Sequence, residues 1–325
     1  MENLTTHYLG LTLKSPLILS SSRLTSSIGN LIEAEASGAG AVVLKSLFEE
    51  QINHHVYKLS TRGDFPEAND YISYYTRSHS VNEYLSLLRN AKKTLGIPVI
   101  PSINCVSSRG WIDFAKNLAD AGADAIEINV FFMPTDRKTC ASDAEKIYLD
   151  LIEKLKSTVS VPIAMKIGNR FSNILYMIDQ FYMRRVEGVV MFNRFYEPDI
   201  DINRMEVIPA AVFSSPEERR YVLRWIAMAS AQKLKIDISA STGVQSGDDA
   251  VRYLLAGAQT VQVCSVLYQK GIGFMNEINQ QISDWMLSKK FANIDEFRGR
   301  LNWLNYEHPS AFERTQFMKY YSSVD

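Results

Sequence analysis

The sequence predicts an α/β fold, a (β/α)8 TIM barrel with an N-terminal β-hairpin and a C-terminal helical extension. Short apolar, β-branched runs alternate with longer helical stretches, a pattern typical of strands buried on both faces of a parallel sheet. Gly-rich turns join several helices to the next strand. Eight such units within about 270 residues favour a closed barrel over a doubly wound open sheet, which is the second candidate fold.

The elements follow one another in a regular order. The opening segment LTTHYLGLTLKSP indicates a hairpin around Gly10, placed to plug the bottom of the barrel. Strands are expected at 17–19, 41–45, 98–102, 125–130, 163–167, 188–192, 236–239 and 260–263. Helices are expected near 27–37, 81–95, 108–121, 143–158, 172–184, 216–231, 247–256 and 274–288. The long connections 46–79 and 193–214 both follow strands, so they belong to the C-terminal face, where barrel sites are built.

Composition narrows the class of protein. The chain has 325 residues, 46% of them hydrophobic, and a net charge of -1, which suits one well-packed domain and argues against a nucleic-acid partner. Cys105, Cys140 and Cys264 are too few for a disulfide framework or a zinc site, and they fit a reducing compartment. The sequence shows neither a signal peptide nor an apolar run of about 18 residues. We therefore expect a cytoplasmic protein without a bound metal or a membrane partner.

Isolated polar residues stand at the ends of five predicted strands. They are Lys45, Asn104, Asn129, Lys166 and Asn193. An unpaired ammonium is costly to bury, so the two lysines predict anionic or strongly polar partners. The alternative is that each lysine reaches solvent at the barrel rim. Five such residues at one end of a barrel favour a binding site.

The last two units indicate a phosphate site. Strand seven runs into ISASTGVQSGDDA and strand eight into VCSVLYQKG. Small residues in these two loops expose backbone N–H groups, and a helix that follows adds favourable partial charge for an anion. The candidates are Thr242, Gly243, Cys264 and Ser265. The alternative is an ordinary turn with a helix cap.

These segments resemble the dihydroorotate dehydrogenase family, and the similarity runs over nearly the whole chain. The resemblance rests on LKSPLILSSS, GAGAVVLKS, EINV, MKIG and FANIDEFRGRL, and most specifically on STGVQSGDDAVRYLLAGAQTVQVCSVLYQKG. It is a resemblance to the soluble class of the family. It implies an FMN-dependent oxidoreductase that oxidises dihydroorotate, or a related CH–CH substrate, by hydride transfer to flavin N5.

The resemblance also implies roles for individual residues. Ser20 and Ser21 would meet the flavin from the first strand, and Lys45 would lie beside flavin and substrate and take part in catalysis. Asn129 and Lys166 would hydrogen-bond the polar edge or the ribityl chain, with Lys166 placed to stabilise negative charge near flavin N1. The phosphate would be held by the backbone at Thr242, Gly243, Cys264 and Ser265, and the substrate would face Asn104 and Asn193.

Two departures from the family pattern bear on catalysis. The family places a Cys or Ser base about three residues after the strand-four asparagine, whereas residues 130–134 here read VFFMP and include no proton acceptor. Cys140, near Arg137 and Lys138, is the substitute base that we name, with an ordinary loop cysteine as the alternative. The second departure is YISYYTRSHSVNEYL, which replaces the family's substrate-binding segment. Arg194 is expected either to bind an anionic substrate or to stay solvated.

Other functions remain open from the sequence. The chain could be an FMN-binding family member with a different substrate or with lost activity. It could also be a flavin-free lyase or aldolase that forms a Schiff base on Lys45 or Lys166. The resemblance implies a homodimer. It implies fumarate as the electron acceptor or, because the chain has no iron–sulfur cysteine cluster, a separate iron–sulfur flavoprotein subunit that uses NAD.

Overall fold

The computed structural model describes residues 3–48, 81–104 and 108–314, so Cys105 and most of the 46–79 connection lie outside the described residues. The strands are β1 (Thr6–Tyr8), β2 (Leu11–Leu13), β3 (Leu17–Leu19), β4 (Ala41–Val43), β5 (Leu47–Phe48), β6 (Val99–Ile100), β7 (Ser102–Asn104), β8 (Ile126–Asn129), β9 (Ile163–Ile167), β10 (Gly188–Met191), β11 (Pro198–Asp201), β12 (Glu206–Pro209), β13 (Asp237–Ser241) and β14 (Thr260–Val263).

Helices alternate with these strands as predicted. They are α1 (Ile28–Ala36), α2 (residues 81–94), α3 (Ser108–Asp120), α4 (Ala141–Lys156), α5 (Ile174–Met183), α6 (Arg219–Ser230), α7 (Gly247–Ala256), α8 (Ser265–Lys270), α9 (Phe274–Lys289) and α10 (Ser310–Glu313). Each of the eight predicted helices is present, and each lies within a few residues of its expected bounds. Among the described helices, none has the length and apolar character needed to cross a membrane.

The parallel strands form a barrel. The sheet runs β5-β7-β8-β9-β10-β13-β14-β3-β4-β6. Its first and last members belong together, because β4 pairs with β6, β5 pairs with β7, and only Pro101 separates β6 from β7. Proline has no N–H to give to a ladder, which explains the break. The ten segments are therefore eight strands whose row comes back on itself, and the barrel prediction is confirmed.

Alternation along the strands divides the apolar side chains into two cores. Outward residues such as Leu19 and Ile128 pack under the helices. Inward residues such as Ile18, Ala125 and Ala164 form a second cluster inside the barrel. This division is the two-residue period expected of barrel strands.

The N-terminal hairpin plugs the lower end of the barrel. β1 and β2 pair antiparallel around Gly10, and Tyr8 and Leu9 are buried among the inward apolar residues. The N–H of Leu9 donates to Oδ2 of Asp237 at 2.6 Å. Burial raises the pKa of this carboxyl above its ordinary value, although the Leu9 N–H lowers it in part. The predicted plug is therefore confirmed.

On several strands the inward face becomes polar two residues further along. Ser20, Glu127 and Lys166 follow the apolar Ile18, Ala125 and Ala164 on the same faces and are buried in their turn. Gln262 occupies the corresponding place on β14. The lower half of the barrel is thus core, and the upper half, toward the carboxyl ends of the strands, is lined for binding.

The C-terminal extension differs from its expected form. FANIDEFRGRL is not a regular helix: residues Ile294–Glu296 form one 3-10 turn, capped by the Asn293 side chain. Gly299 has a φ of +72°, a left-handed conformation that interrupts any helix. The 193–214 connection carries an element that we did not expect, the hairpin of β11 and β12.

Candidate active site

Lys166 lies at the centre of the polar half of the barrel. It sits on β9, is only 5% exposed, and its Nζ donates to Gln262 Oε1 at 2.9 Å and to Ser20 Oγ at 3.3 Å. Ser20 Oγ also donates to the same Gln262 oxygen at 2.9 Å. The prediction that a buried lysine would have strongly polar partners is confirmed, and its rim-solvated alternative is wrong.

The charge that balances Lys166 comes from a residue that we did not predict. Glu127, on β8, is 1% exposed, and its Oε1 lies 3.5 Å from the lysine Nζ. Gln262 links the two, since its Nε2 donates to Glu127 Oε2 at 2.6 Å. Alternation carried a usable signal: Glu127 lies two residues before Asn129, so both face the barrel interior.

The two predicted asparagines come together beside this group. Asn129 ends β8 next to Lys166, with which it is paired in the ladder. Asn193, just past β10, donates from Nδ2 to Asn129 Oδ1 at 2.9 Å. Their remaining amide groups form a donor and acceptor pair at the upper end of the barrel, which suits a planar ring that carries both kinds of group.

Three serines extend the polar surface on the other side. Ser21 Oγ lies 3.2 Å from Ser46 Oγ, which in turn lies 2.8 Å from Ser102 Oγ. The Ser46 N–H also donates to Ser21 Oγ at 2.9 Å. This chain of hydroxyls fixes the end of strand two, close to Lys45.

Lys45 and Asn104 occupy the ends of strands two and three. Lys45 is half-buried, and no described residue forms a hydrogen bond or ion pair with it. Asn104 is half-buried at the end of β7. The polar partner predicted for Lys45 is therefore not found among the described residues, whereas the ammonium of Lys166 is fully engaged.

The loops after β13 and β14 meet at a third side of the cleft. Thr242 and Gly243 have φ angles of +83° and +73°. The Gly243 N–H donates to Ser214 Oγ at 3.2 Å, and Ser214 is bonded to Ser265 through two contacts of 3.0 and 3.1 Å. The predicted phosphate loops are thus brought together, and Ser214 joins them from the 193–214 connection, where no local signal marked it.

The N-terminus of α7 is already occupied. Asp249, in the first turn of that helix, accepts the Gln245 N–H at 2.9 Å and pairs with Arg219. A second arginine, Arg252, donates to it at 2.9 Å. A carboxylate of the chain itself therefore already lies in the first turn of this helix, and the expected contribution of the helix end to anion binding stays a prediction. Two N–H groups of the loop itself also have partners within the chain, because Gly243 donates to Ser214 and Gln245 to Asp249.

Cys264 lies between Lys166 and the phosphate loops. Burial raises the pKa of its thiol, while the Ser22 hydroxyl and the Lys166 charge lower it in part. A thiol whose pKa is raised remains protonated at neutral pH, so it contacts a ligand as a small, weakly polar group.

Cys140, at the end of the loop after β8, lines a different pocket from the residues described so far. Phe131 stacks on Phe195 with ring centroids 3.8 Å apart, and Phe195 lies directly over Gly168. Cys140 precedes α4 and lines another pocket with Phe132 and Arg170. The structure does not bring Cys140 to the other candidates, and its role as substitute base stays a prediction.

Arg194 has partners within the protein, which neither of the two expectations, an anionic substrate or solvent, included. Its Nε donates to Glu218 at 2.8 Å, and its two terminal nitrogens donate to the carbonyls of Val212 and Ala211 at 2.9 and 2.7 Å. The guanidinium therefore ties the base of the β11–β12 connection to the start of α6. It lines the cleft, but its charge is already paired.

One cleft collects most of the predicted residues at the C-terminal face. Its lining includes Ser20, Ser21, Asn193, Thr242, Gly243, Gln262, Cys264 and Ser265. Lys166 and Asn129 lie against it through the contacts above. A hydroxyl-rich and amide-rich wall leads from a buried ammonium to the small residues of the loops after β13 and β14. This arrangement suits an elongated ligand with a polar ring at one end and an anion at the other.

Comparison with known proteins identifies one family and several relatives. Residues 3–286 match the family described as dihydroorotate dehydrogenase. The dihydroorotate dehydrogenase B (NAD(+)) catalytic subunit of Thermoplasma acidophilum is 27% identical over 306 residues, which is 92% of this chain and 99% of that protein. The same subunit of Methanocella arvoryzae is 28% identical over 295 residues, covering 89% and 95%. The chloroplastic dihydropyrimidine dehydrogenase (NADP(+)) of Arabidopsis thaliana is 27% identical over 206 residues, covering 58% and 48%. The family match includes every strand of the barrel.

Proposed function

The chain belongs to the dihydroorotate dehydrogenase family, an oxidoreductase family acting on CH–CH groups, and from this premise we propose that it is an FMN-dependent dehydrogenase of dihydroorotate or a related substrate. FMN, when bound, supplies a hydride acceptor at N5. The observation that carries the proposal is that Gln262, which accepts a hydrogen bond from the buried Lys166, lines one cleft together with the Thr242–Gly243 loop.

The residues at the phosphate end fit FMN. A Cβ on Gly243 would lie 2.7 Å from the backbone nitrogen of Arg219, so only glycine permits this close path of the chain. Thr242 takes the same left-handed conformation, with a φ of +83°. We propose that the backbone of this loop, with Cys264 and Ser265, holds the phosphate.

The residues at the other end suit the ring. Ser20, Ser21, Asn129 and Lys166 would contact the flavin, and Lys166 would place positive charge beside its polar edge. Asn193 and Asn104 would face the substrate. Because Lys45 has a free ammonium among the described residues, we propose that it orients the substrate or holds a proton near it.

The Schiff-base alternative is weaker for one lysine than for the other. Lys166 is buried, donates to Gln262 and Ser20 and lies beside Glu127, whereas a Schiff base needs a lysine nitrogen free to attack a carbonyl. Lys45 lacks such partners in the described structure, so the alternative remains testable there.

The missing base bears on the substrate. The segment after Asn129 presents the stacked pair of Phe131 and Phe195, and Arg194 is already paired. An aromatic surface beside an arginine that is already paired suits a neutral planar ring. We therefore keep as a second candidate a different CH–CH substrate, such as a neutral dihydropyrimidine, which the name of the plant relative also suggests.

The first experiment is the visible spectrum of the purified protein, followed by anaerobic addition of dihydroorotate. A flavin band at about 450 nm that bleaches supports the full proposal. A band that bleaches with dihydrouracil alone supports the second candidate, and one that neither substrate bleaches supports lost activity. A colourless protein that borohydride traps with a carbonyl substrate, and that Lys45→Met leaves untrapped, supports the Schiff-base alternative.

We also propose partners and a location. The relatives' description as catalytic subunits suggests an electron-transfer subunit. A homodimer is expected, and the β11–β12 hairpin offers it an apolar face in which Ile200 and Val207, paired across the strands, are 66% and 70% exposed. Light scattering should give a dimer that Ile200→Asp converts to a monomer. Free thiols at Cys140 and Cys264 suit the reducing cytoplasm.

A further inference from the structure

Glu127 is a buried charge to which the proposed chemistry gives no role. Its side chain is 1% exposed, and its Oε1 accepts no hydrogen bond from the described residues although it lies 3.5 Å from the Lys166 Nζ. Its other oxygen accepts from Gln262 at 2.6 Å. Desolvating two charges is expensive, and well-packed apolar residues often serve stability equally well. Stability alone therefore gives little reason for this pair.

The position of the pair suggests what it does. Below it lie the apolar plug residues, and burial followed by the charge of Glu127 raises the pKa of Tyr8 well above its ordinary value. Above it lies the cleft. Lys166 reaches the cleft wall at Ser20, whereas Glu127 stays behind Gln262. Glu127 thus acts on the cleft through Gln262 and Lys166.

We propose that Glu127 is a positioning residue that holds Lys166 through Gln262 and balances its charge, and so sets the reduction equilibrium of a flavin bound above. The inference rests on the proposed function. An unbalanced ammonium beside the ring would draw electrons onto the flavin strongly. A carboxylate 3.5 Å behind it reduces that attraction, because opposite charges cancel in a poorly screened interior.

The test is Glu127→Gln in the flavin-loaded protein. The amide keeps the side-chain shape and can still accept from Gln262, while Lys166 retains Gln262 and Ser20 as acceptors. Titration against a redox dye should show the equilibrium shifted at least tenfold toward reduced flavin, about 30 mV for a two-electron couple. Glu127→Asp should restore most of the wild-type value, and Lys166→Met should shift it the other way. A value within twofold of wild type, or a shift toward oxidised flavin, would overturn the proposal.

A second measurement distinguishes failure of the role of Glu127 from failure of the proposed function. If the wild-type protein binds no FMN, the proposed function fails, whereas bound FMN with an unmoved equilibrium removes only the role of Glu127. Charge pairing is tested without flavin by a double-mutant cycle of Glu127→Gln and Lys166→Met in urea unfolding. We expect coupling of at least tenfold in the unfolding constant, or a double variant that folds where Glu127→Gln does not. Additive effects, or failure of both proteins to fold, would contradict it.

Discussion

Gly243→Ala is the sharpest perturbation of the proposed phosphate loop. Gly243 has a φ of +73°, and an added Cβ would stand 2.7 Å from the backbone nitrogen and 2.9 Å from the Cβ of Arg219. Because Arg219 begins α6, neither of these atoms can move alone. The substitution therefore forces the loop and the start of the helix apart, at the point where backbone N–H groups would meet the phosphate.

The expected magnitude has two parts. A non-glycine residue in the left-handed region costs about 1–2 kcal/mol, and overpacking a tight contact costs about 1–3 kcal/mol more. The free energy of unfolding should therefore fall by about 2–5 kcal/mol. A hydrogen bond to a charged acceptor contributes about 1.5–3 kcal/mol, so losing one should weaken FMN binding roughly ten- to hundredfold.

Gly122→Ala is the matched control. Gly122 has a φ of +92°, and no atom lies within 4 Å of its would-be Cβ. It precedes β8 and so lies at the opposite end of the barrel from the cleft. This variant should carry the backbone cost alone, about 1–2 kcal/mol, with unchanged FMN affinity.

The assays are urea unfolding and the quenching of FMN fluorescence on titration with apoprotein. If Gly243→Ala binds FMN within twofold of wild type while losing only as much stability as Gly122→Ala, the close approach to Arg219 is unimportant. In that case Gly243 does not hold the phosphate.

Three further predictions follow from the described contacts. Lys166→Ala should lower the unfolding free energy by about 3–5 kcal/mol, because it leaves a buried carboxylate unpaired, and should weaken FMN binding at least tenfold; FMN affinity and flavin reduction equal to wild type would remove Lys166 from the site. Cys140→Ala tests the substitute base, because loss of a general base should lower turnover about 10²–10⁴-fold, whereas a change of less than twofold would make Cys140 an ordinary loop cysteine in a pocket of its own. Asp237→Asn should raise the melting temperature at pH 7, because a raised folded-state pKa means that wild type loses stability as the carboxyl ionises. That gain should vanish at a pH low enough to protonate Asp237, and a gain that persists there would contradict the assignment.

The fold was predictable because its signals are local and repeated. A buried parallel strand reads as a continuous apolar run, and each run was followed by a helix of the right length, so errors at single boundaries did not change the architecture. The C-terminal FANIDEFRGRL segment shows the limit of such reasoning. It follows the last strand and helix unit, so no repeated pattern in the sequence indicated its secondary structure. Its one 3-10 turn is set by the Asn293 cap and the left-handed Gly299.

The site was predictable at the strand ends and less so inside the strands. Polar residues that end an apolar run stand out, as Asn129 and Lys166 do. Glu127 and Gln262 lie within strands, where the overall apolar character hides them, although their two-residue spacing from Asn129 and Cys264 puts them on the inner face. Ser214 could not be found from sequence, because a long connection brings it back to Ser265.

The aromatic pair after β8 bears on the substrate that the protein takes, although it does not affect membership of the family. Phe131 and Phe195 come from different loops, yet their rings stack at 3.8 Å and Phe195 closes over Gly168, where any side chain would collide with its ring. Where the resemblance leads us to expect a base, the chain thus presents a built apolar surface. A substitution that only destroyed activity would need no such complementary contact. The packing therefore favours a flavoprotein adapted to a different substrate over one that has lost its activity. Phe195→Leu should accordingly alter substrate preference while FMN affinity stays within threefold of wild type. An equal fall in turnover with every substrate would instead support a protein that has lost its activity.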